Sequence, residues 1–193
     1  MGKGRLEAFS DGVIAIIITI MVLELRVPHE DPASLAPLGP IFGSYVLSFV
    51  HIGIYWNNHH HLLHTVKHVS GAILWGNLHL LFWLSLIPFV TGWMGENHFA
   101  EGPVALYGVV MLMAGCAYYI LTRAIIHHHG PESTLRAAVG VDKKGVISLV
   151  IYALAIGVAF VNHWVALGLY VAVAVMWLVP DHRIERMMTS PDP

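Results

Sequence analysis

Six long apolar runs, set apart by short polar breaks, decide what this chain can fold into. They fall at 7–25, 38–63, 72–94, 102–125, 145–161 and 164–180. A helix that crosses a bilayer needs about 20 mainly apolar residues, and each run has roughly that length. Arg26, Pro28 and the polar His29-Glu30-Asp31-Pro32 close the first run, and Pro37 and Pro40 open the second. Gly95-Glu96-Asn97 closes the third, and Gly102-Pro103 opens the fourth. Asn162-His163 is the only polar break between the last two, which predicts a tight helical hairpin, and Pro180-Asp181 ends the sixth. Only 11% of the chain is charged and 56% is hydrophobic. Soluble domains carry about 25% charged residues, so a monomer of this composition has too little polar surface for water. The fold class expected is an all-α membrane protein with six transmembrane helices per subunit, in one domain covering 1–193.

The basic residues test that count. Lys3 and Arg5 precede the first run, Lys67 lies between the second and third, Arg123, Arg136, Lys143 and Lys144 lie at or between the fourth and fifth, and Arg183 and Arg186 follow the sixth. With six spans these nine share one side of the membrane, and only Arg26 falls on the other. The positive-inside rule then places both termini in the cytoplasm of a multi-pass protein of the plasma membrane. Adding or removing one span would scramble the asymmetry. Asp11 stands at the start of the first run and no small-residue cleavage site follows, so a removable signal peptide is not expected. The net charge is −2 with no basic block, which gives no footing for nucleic acid. Cys116, the single cysteine, lies in an apolar run and reads as a small buried residue.

Gly108, Gly115, Gly157 and Gly168 read as places where helices approach closely. Pro88, inside the third run, should kink its helix and free a carbonyl. No internal duplication is visible, although many secondary transporters carry two related halves. Any symmetry about an ion path would then come from several copies of the chain.

The first run carries the most information. Asp11 sits near the start of an apolar helix, where a bare carboxylate must face water, a partner or the bundle interior. Arg5 and His79 are candidate partners; equally, Ser10 and Asp11 could simply cap the helix N-terminus. Ile16, Ile20 and Leu23 share one face, with Thr19 at its edge. The helix is apolar all round, however, and Val13, Ile17 and Leu25 mark other stripes as well. Periodicity alone does not choose between a pore-facing stripe and ordinary packing.

Arg5-x-x-x-Phe9-Ser10-Asp11, followed by Gly12-Val13-Ile14-Ala15-Ile16, Thr19 and Leu23-Glu24, resembles the signature of the transmembrane protein 175 family of potassium-permeable cation channels. Further similarity runs through Tyr55-Trp56-Asn57-Asn58-His59, Leu78-His79-Leu80 and Leu86-Ile87-Pro88-Phe89. The length fits one family repeat, as in prokaryotic members. The resemblance implies a homotetramer whose first helix lines a central pore passing potassium and other monovalent cations, with no cofactor and no enzymatic activity. It implies a pore constriction at Ile16, further pore-facing layers at Ile20 and Leu23, and a hydroxyl at Thr19. It casts Arg5, Phe9, Ser10 and Asp11 as a structural network around the pore helix, with His79 as the histidine partner. No Thr-Val-Gly-Tyr-Gly filter segment is present. A ring of isoleucines offers no ligand to replace lost water, so passage would depend on how readily an ion sheds its hydration shell. Potassium holds water less tightly than sodium, which favours it weakly to moderately. Glu24 either gathers cations at the outer mouth or pairs with Arg26 as a solvated helix end.

The 14 histidines suggest a different class. His59, His60, His61, His64 and His68 cluster at one end of the second run, and His127, His128 and His129 at the same-side end of the fourth. His60, His64 and His68 are spaced to share a helix face. Converging imidazoles are what a membrane metalloenzyme of the di-iron oxygenase type would need, with His60, His64, His68 and His128 as metal candidates. The three separated histidine boxes of such an enzyme are not found in full. The plainer reading is a set of interfacial polar residues, adventitious zinc ligands or pH-sensing groups.

Overall fold

The computed structural model describes residues 2–23, 25, 37–130 and 142–178. The expected mouth residue Glu24, together with Arg26, Arg136, Arg183 and Arg186, lies outside the described residues. Those described form α1 (Lys3–Leu23), α2 (Gly39–His64), α3 (Gly71–Ser85), α4 (Ile87–Glu96), α5 (Glu101–His129), α6 (Lys143–Ala159) and α7 (His163–Leu178). Among the described residues α1, the α3–α4 stretch Gly71–Glu96 and α5 are long and apolar enough to cross a membrane. The all-helical architecture expected from the six runs is present, with α3 and α4 together occupying the third.

Local chemistry sets the helix ends. Pro40 lies in the first turn of α2, where a missing N–H costs nothing. The Ser70 hydroxyl accepts the Ile73 N–H at the start of α3 (3.4 Å), and an Asp142 carboxylate oxygen accepts the Gly145 N–H at the start of α6 (2.9 Å). Asn162 Oδ1 accepts the N–H groups of Trp164 (3.0 Å) and Val165 (3.2 Å), so the polar break in the final hairpin is also a helix cap. Helix α5 stops at Gly130, whose φ of 71° suits glycine. Near Pro88 the helix is interrupted at one residue, Leu86, whose N–H bonds Trp83 O (3.2 Å), and α4 follows with the proline in its first turn.

Helix α5 is the hub, packed against α3 on one side and α6 on another, with α7 beyond α6. Helix α2 packs on α4, and α1 lies against α2, α3 and α4. The α2–α4 crossing depends on Gly95: a Cβ there would stand 2.7 Å from Ile41 Cα, closer than side-chain carbons approach backbone.

Candidate functional site

Helix α1 has two unlike faces. Leu6, Ser10, Ile14, Ile17 and Met21 are buried, spaced as one stripe of a helix. The opposite side is uncovered within the subunit: Ile16 is 58% exposed, Ile20 44% and Leu23 77%, with Phe9 and Thr19 on the open side as well. Ile17 belongs to the core stripe, and Ile16, Ile20 and Leu23 do not.

Thr19 is turned toward its own backbone. Its Oγ1 lies 2.9 Å from Ile16 O and 3.1 Å from Ala15 O. A hydroxyl has one proton, so it is shared between these carbonyls, and both lone pairs of the oxygen stay free to accept.

The buried side of α1 is held by a chain of hydrogen bonds. Ser10 Oγ donates to Leu6 O (2.8 Å) and accepts from Asn77 Nδ2 (2.9 Å) on α3. Asn77 Oδ1 lies 2.7 Å from His59 Nε2 on α2, so that ring nitrogen carries the proton. All three side chains are buried. Outside this chain, Trp56 Nε1 donates to Asp11 Oδ1 (3.1 Å). Lys3 Nζ donates to His64 O (2.7 Å) and lies 3.7 Å from Glu7. A cation on one of the last carbonyls of α2 is favourable to that helix's dipole. Three helices are therefore tied together at the N-terminal end of α1.

The sequence motif is divided by this arrangement. Ser10 and Asp11 join the network; Arg5 and Phe9 lie exposed. His79 accepts from Trp83 Nε1 (2.9 Å) on its own helix, and the histidine that reaches Ser10, through Asn77, is His59. Asn77 carried no sequence signal. His59 and Trp56 belong to the Tyr55-Trp56-Asn57-Asn58-His59 segment, which carries part of the family resemblance.

The remaining histidines disperse. His60 stacks on Trp56 (6.1 Å between centroids) and on His64 (6.3 Å), on an exposed side of α2. His68 lies past the end of α2, so it does not share the face of His60 and His64. His129 Nδ1 donates to Ile125 O (2.9 Å), and its Nε2 accepts the backbone N–H groups of Lys67 (3.0 Å) and His68 (3.4 Å). His128 packs edge-on against His129. Among the described residues no three His, Cys, Asp or Glu side chains converge as a metal centre.

Residues 5–88 match the family model described as "Endosomal/lysosomal potassium channel TMEM175". A potassium channel of Chryseobacterium sp. (strain P1-3) is 55% identical over 189 residues, covering 97% of this chain and 98% of that protein. The chain belongs to the TMEM175 family. A potassium channel of Streptomyces collinus is 33% identical over 83% of this chain and 84% of its own length. The crystal structure of a lysosomal potassium-selective channel TMEM175 homologue from Chamaesiphon minutus superposes with a TM-score of 0.80 at 27% identity, covering 92% of this chain and 96% of that one. Membership of TMEM175 makes the chain a multi-pass membrane protein of a channel family and not an enzyme, which removes the di-iron reading of its histidines.

Proposed function

We propose that four copies of this chain surround a common axis with α1 innermost, and that Ile16, Thr19, Ile20 and Leu23 face the ion path. The activity is that of a potassium channel of the TMEM175 family. The observation that carries the pore assignment is the asymmetry of α1: one side is packed and hydrogen-bonded into its own subunit, while the side bearing Ile16, Ile20 and Leu23 is left uncovered. In a tetramer this uncovered stripe becomes a sleeve of isoleucine and leucine around the axis. Ile16 forms its constriction, Glu24 stands at the outer mouth, and both termini face the cytoplasm.

Such a constriction has no oxygen cage. An ion passes it by thinning its water shell, which potassium does more readily than sodium, and the neck closes by dewetting. The network of Ser10, Asp11, Asn77, His59 and Trp56 does not touch the ion. It fixes the rotation of α1 about its own axis, and with it the side chains offered to the pore. Arg5, Phe9 and His79 surround that network from outside its hydrogen-bonded core.

The test is flux of potassium against sodium into liposomes holding purified protein, wild type and Ile16→Asn. The variant should conduct faster and discriminate less, because an amide ring lets water through the neck. An Ile16→Asn channel with unchanged rates and unchanged ion preference rejects the constriction.

A further inference from the structure

Away from α1, a crevice opens between α2, α5, α6 and α7, with a cavity of about 60 Å³ and no residue of α1 in its wall. Near the start of α6 the wall holds Asp142, with Tyr118 and Tyr119 of α5 and Trp177 of α7. About two turns further along α6 it holds Leu149 and then Tyr152, with Tyr55 of α2 alongside. A Cβ on Gly115 would meet the Leu149 methyl at 2.8 Å and Tyr55 OH at 3.7 Å, so those two groups stand at one level.

The carboxylate is the distinctive group. Asp142 Oδ1 accepts the Gly145 N–H (2.9 Å), and the carboxylate lies over that glycine, where any Cβ would collide with Oδ2. Gly145 is itself part of the wall, so its missing side chain leaves the carboxylate open to the crevice. Among the described residues Asp142 makes no ion pair. It lies within electrostatic range of Tyr118. Apart from the buried His51, no other acidic or basic residue lines the crevice among the described residues. Arg123 lies over the Tyr119 ring, 5.5 Å from its centroid, but is not part of the wall.

The rings beside Asp142 are held in place before any ligand arrives. Tyr118 OH donates to Asn58 O (3.2 Å), Trp177 Nε1 to Ser148 Oγ (2.8 Å) and Ser148 Oγ to Lys144 O (2.8 Å). Deeper in, the hydroxyls of Tyr55 and Tyr152 have no hydrogen-bond partner among the described residues, and neither is sealed by protein, so both open onto the crevice. Tyr152 is buried. Open hydroxyls on a buried wall mark a space built to be occupied.

A carboxylate without a counter-ion beside three aromatic rings draws a cation. A hard metal ion needs a shell of oxygens, and the single carboxylate does not supply one. A primary ammonium brings three N–H donors, more than the acceptors left near Asp142. A quaternary ammonium has no N–H to satisfy and presents its charge to aromatic rings through its methyl groups. At about 10–15 Å³ for each water-sized group, the cavity takes about four to five of them, the size of one nitrogen with its methyls.

We propose that this crevice binds small quaternary ammonium ions, with the methylated nitrogen among Tyr118, Tyr119 and Trp177 beside the Asp142 carboxylate. The ion comes either from a free solute or from a lipid headgroup, since both carry the same chemistry. The site is separate from the ion path whichever side of α1 faces it.

The test titrates purified full-length channel with radiolabelled choline and lets unlabelled ligands compete. Choline should bind saturably, about tenfold tighter than 3,3-dimethyl-1-butanol, in which a carbon replaces the charged nitrogen. Asp142→Asn keeps the cap of α6, because asparagine caps as well, and should weaken choline about fivefold while leaving the neutral compound unchanged. Tyr119→Leu, at a ring already exposed, should weaken choline about threefold with the unfolding midpoint retained. Glycerophosphocholine competing better than choline assigns the site to a lipid headgroup, and competing worse assigns it to a free solute; either order supports the proposal. Binding that never saturates, equal affinity for choline and its neutral counterpart, or full choline affinity in either variant would each overturn it.

Discussion

Ser10 shows how much depends on one hydroxyl. It is fully buried, gives its proton to Leu6 O and receives one from Asn77. Ser10→Ala leaves the Asn77 N–H without an acceptor, and an unsatisfied buried donor costs about 1–3 kcal/mol. Asn77→Leu removes that N–H as well, but it strands the His59 N–H instead. Both variants should lower the midpoint of thermal unfolding in detergent, and Trp56→Phe, which breaks a more exposed bond to Asp11, should lower it less. A Trp56→Phe loss larger than that of Ser10→Ala would put the anchor of α1 in the wrong place. The sequence announced Ser10 and Asp11 through their motif. It could not announce Asn77, because an asparagine in an apolar run has no pattern of its own until folding sets it between a serine 67 positions away and a histidine 18 positions away.

Helices come next in scale, and here the sequence was legible in existence and less so in detail. Runs of apolar residues reveal a span wherever the solvent is lipid, which is why six of them could be counted. The faces of α1 stayed hidden because residues apolar on every side give no moment to read; only the neighbours α2, α3 and α4 define its inside. The run 72–94 contains Pro88, and the proline's missing N–H and its ring account for the one-residue interruption at Leu86 between α3 and α4. The His127–His129 stretch, placed by the sequence just past the fourth run, forms the last turn of α5. Two variants test this level. Gly95→Ala forces carbon against the Ile41 backbone and should destabilise the α2–α4 crossing by about 1–3 kcal/mol, seen as a lower unfolding midpoint. His129→Phe removes the acceptor for two backbone N–H groups in the α2–α3 connection, so the amides of Lys67 and His68 should exchange faster with deuterium while the α3 and α5 cores keep their protection.

On the scale of the whole molecule the subunit leaves its first helix half clothed. Family membership and the Chamaesiphon minutus superposition establish the channel architecture, and the proposed tetramer gives the open side of α1 something to face. Cysteine placed at Leu23, the most exposed of the stripe, should form subunit–subunit crosslinks under mild oxidation in membranes, whereas cysteine at Ile17 should not. The native Cys116 is first replaced by Ala so that it does not contribute. Crosslinking at Ile17 with none at Leu23 would turn α1 the other way round. The proposed lining would also carry a sign. The Thr19 proton is committed to carbonyls of its own helix, so of the four side chains assigned to the passage the one with a heteroatom would turn electron density, and no hydrogen, toward whatever travels there. In the proposed tetramer chloride would meet four repelling poles at that level and potassium four welcoming ones, so the level of Thr19 would sort anions from cations with no formal charge of its own.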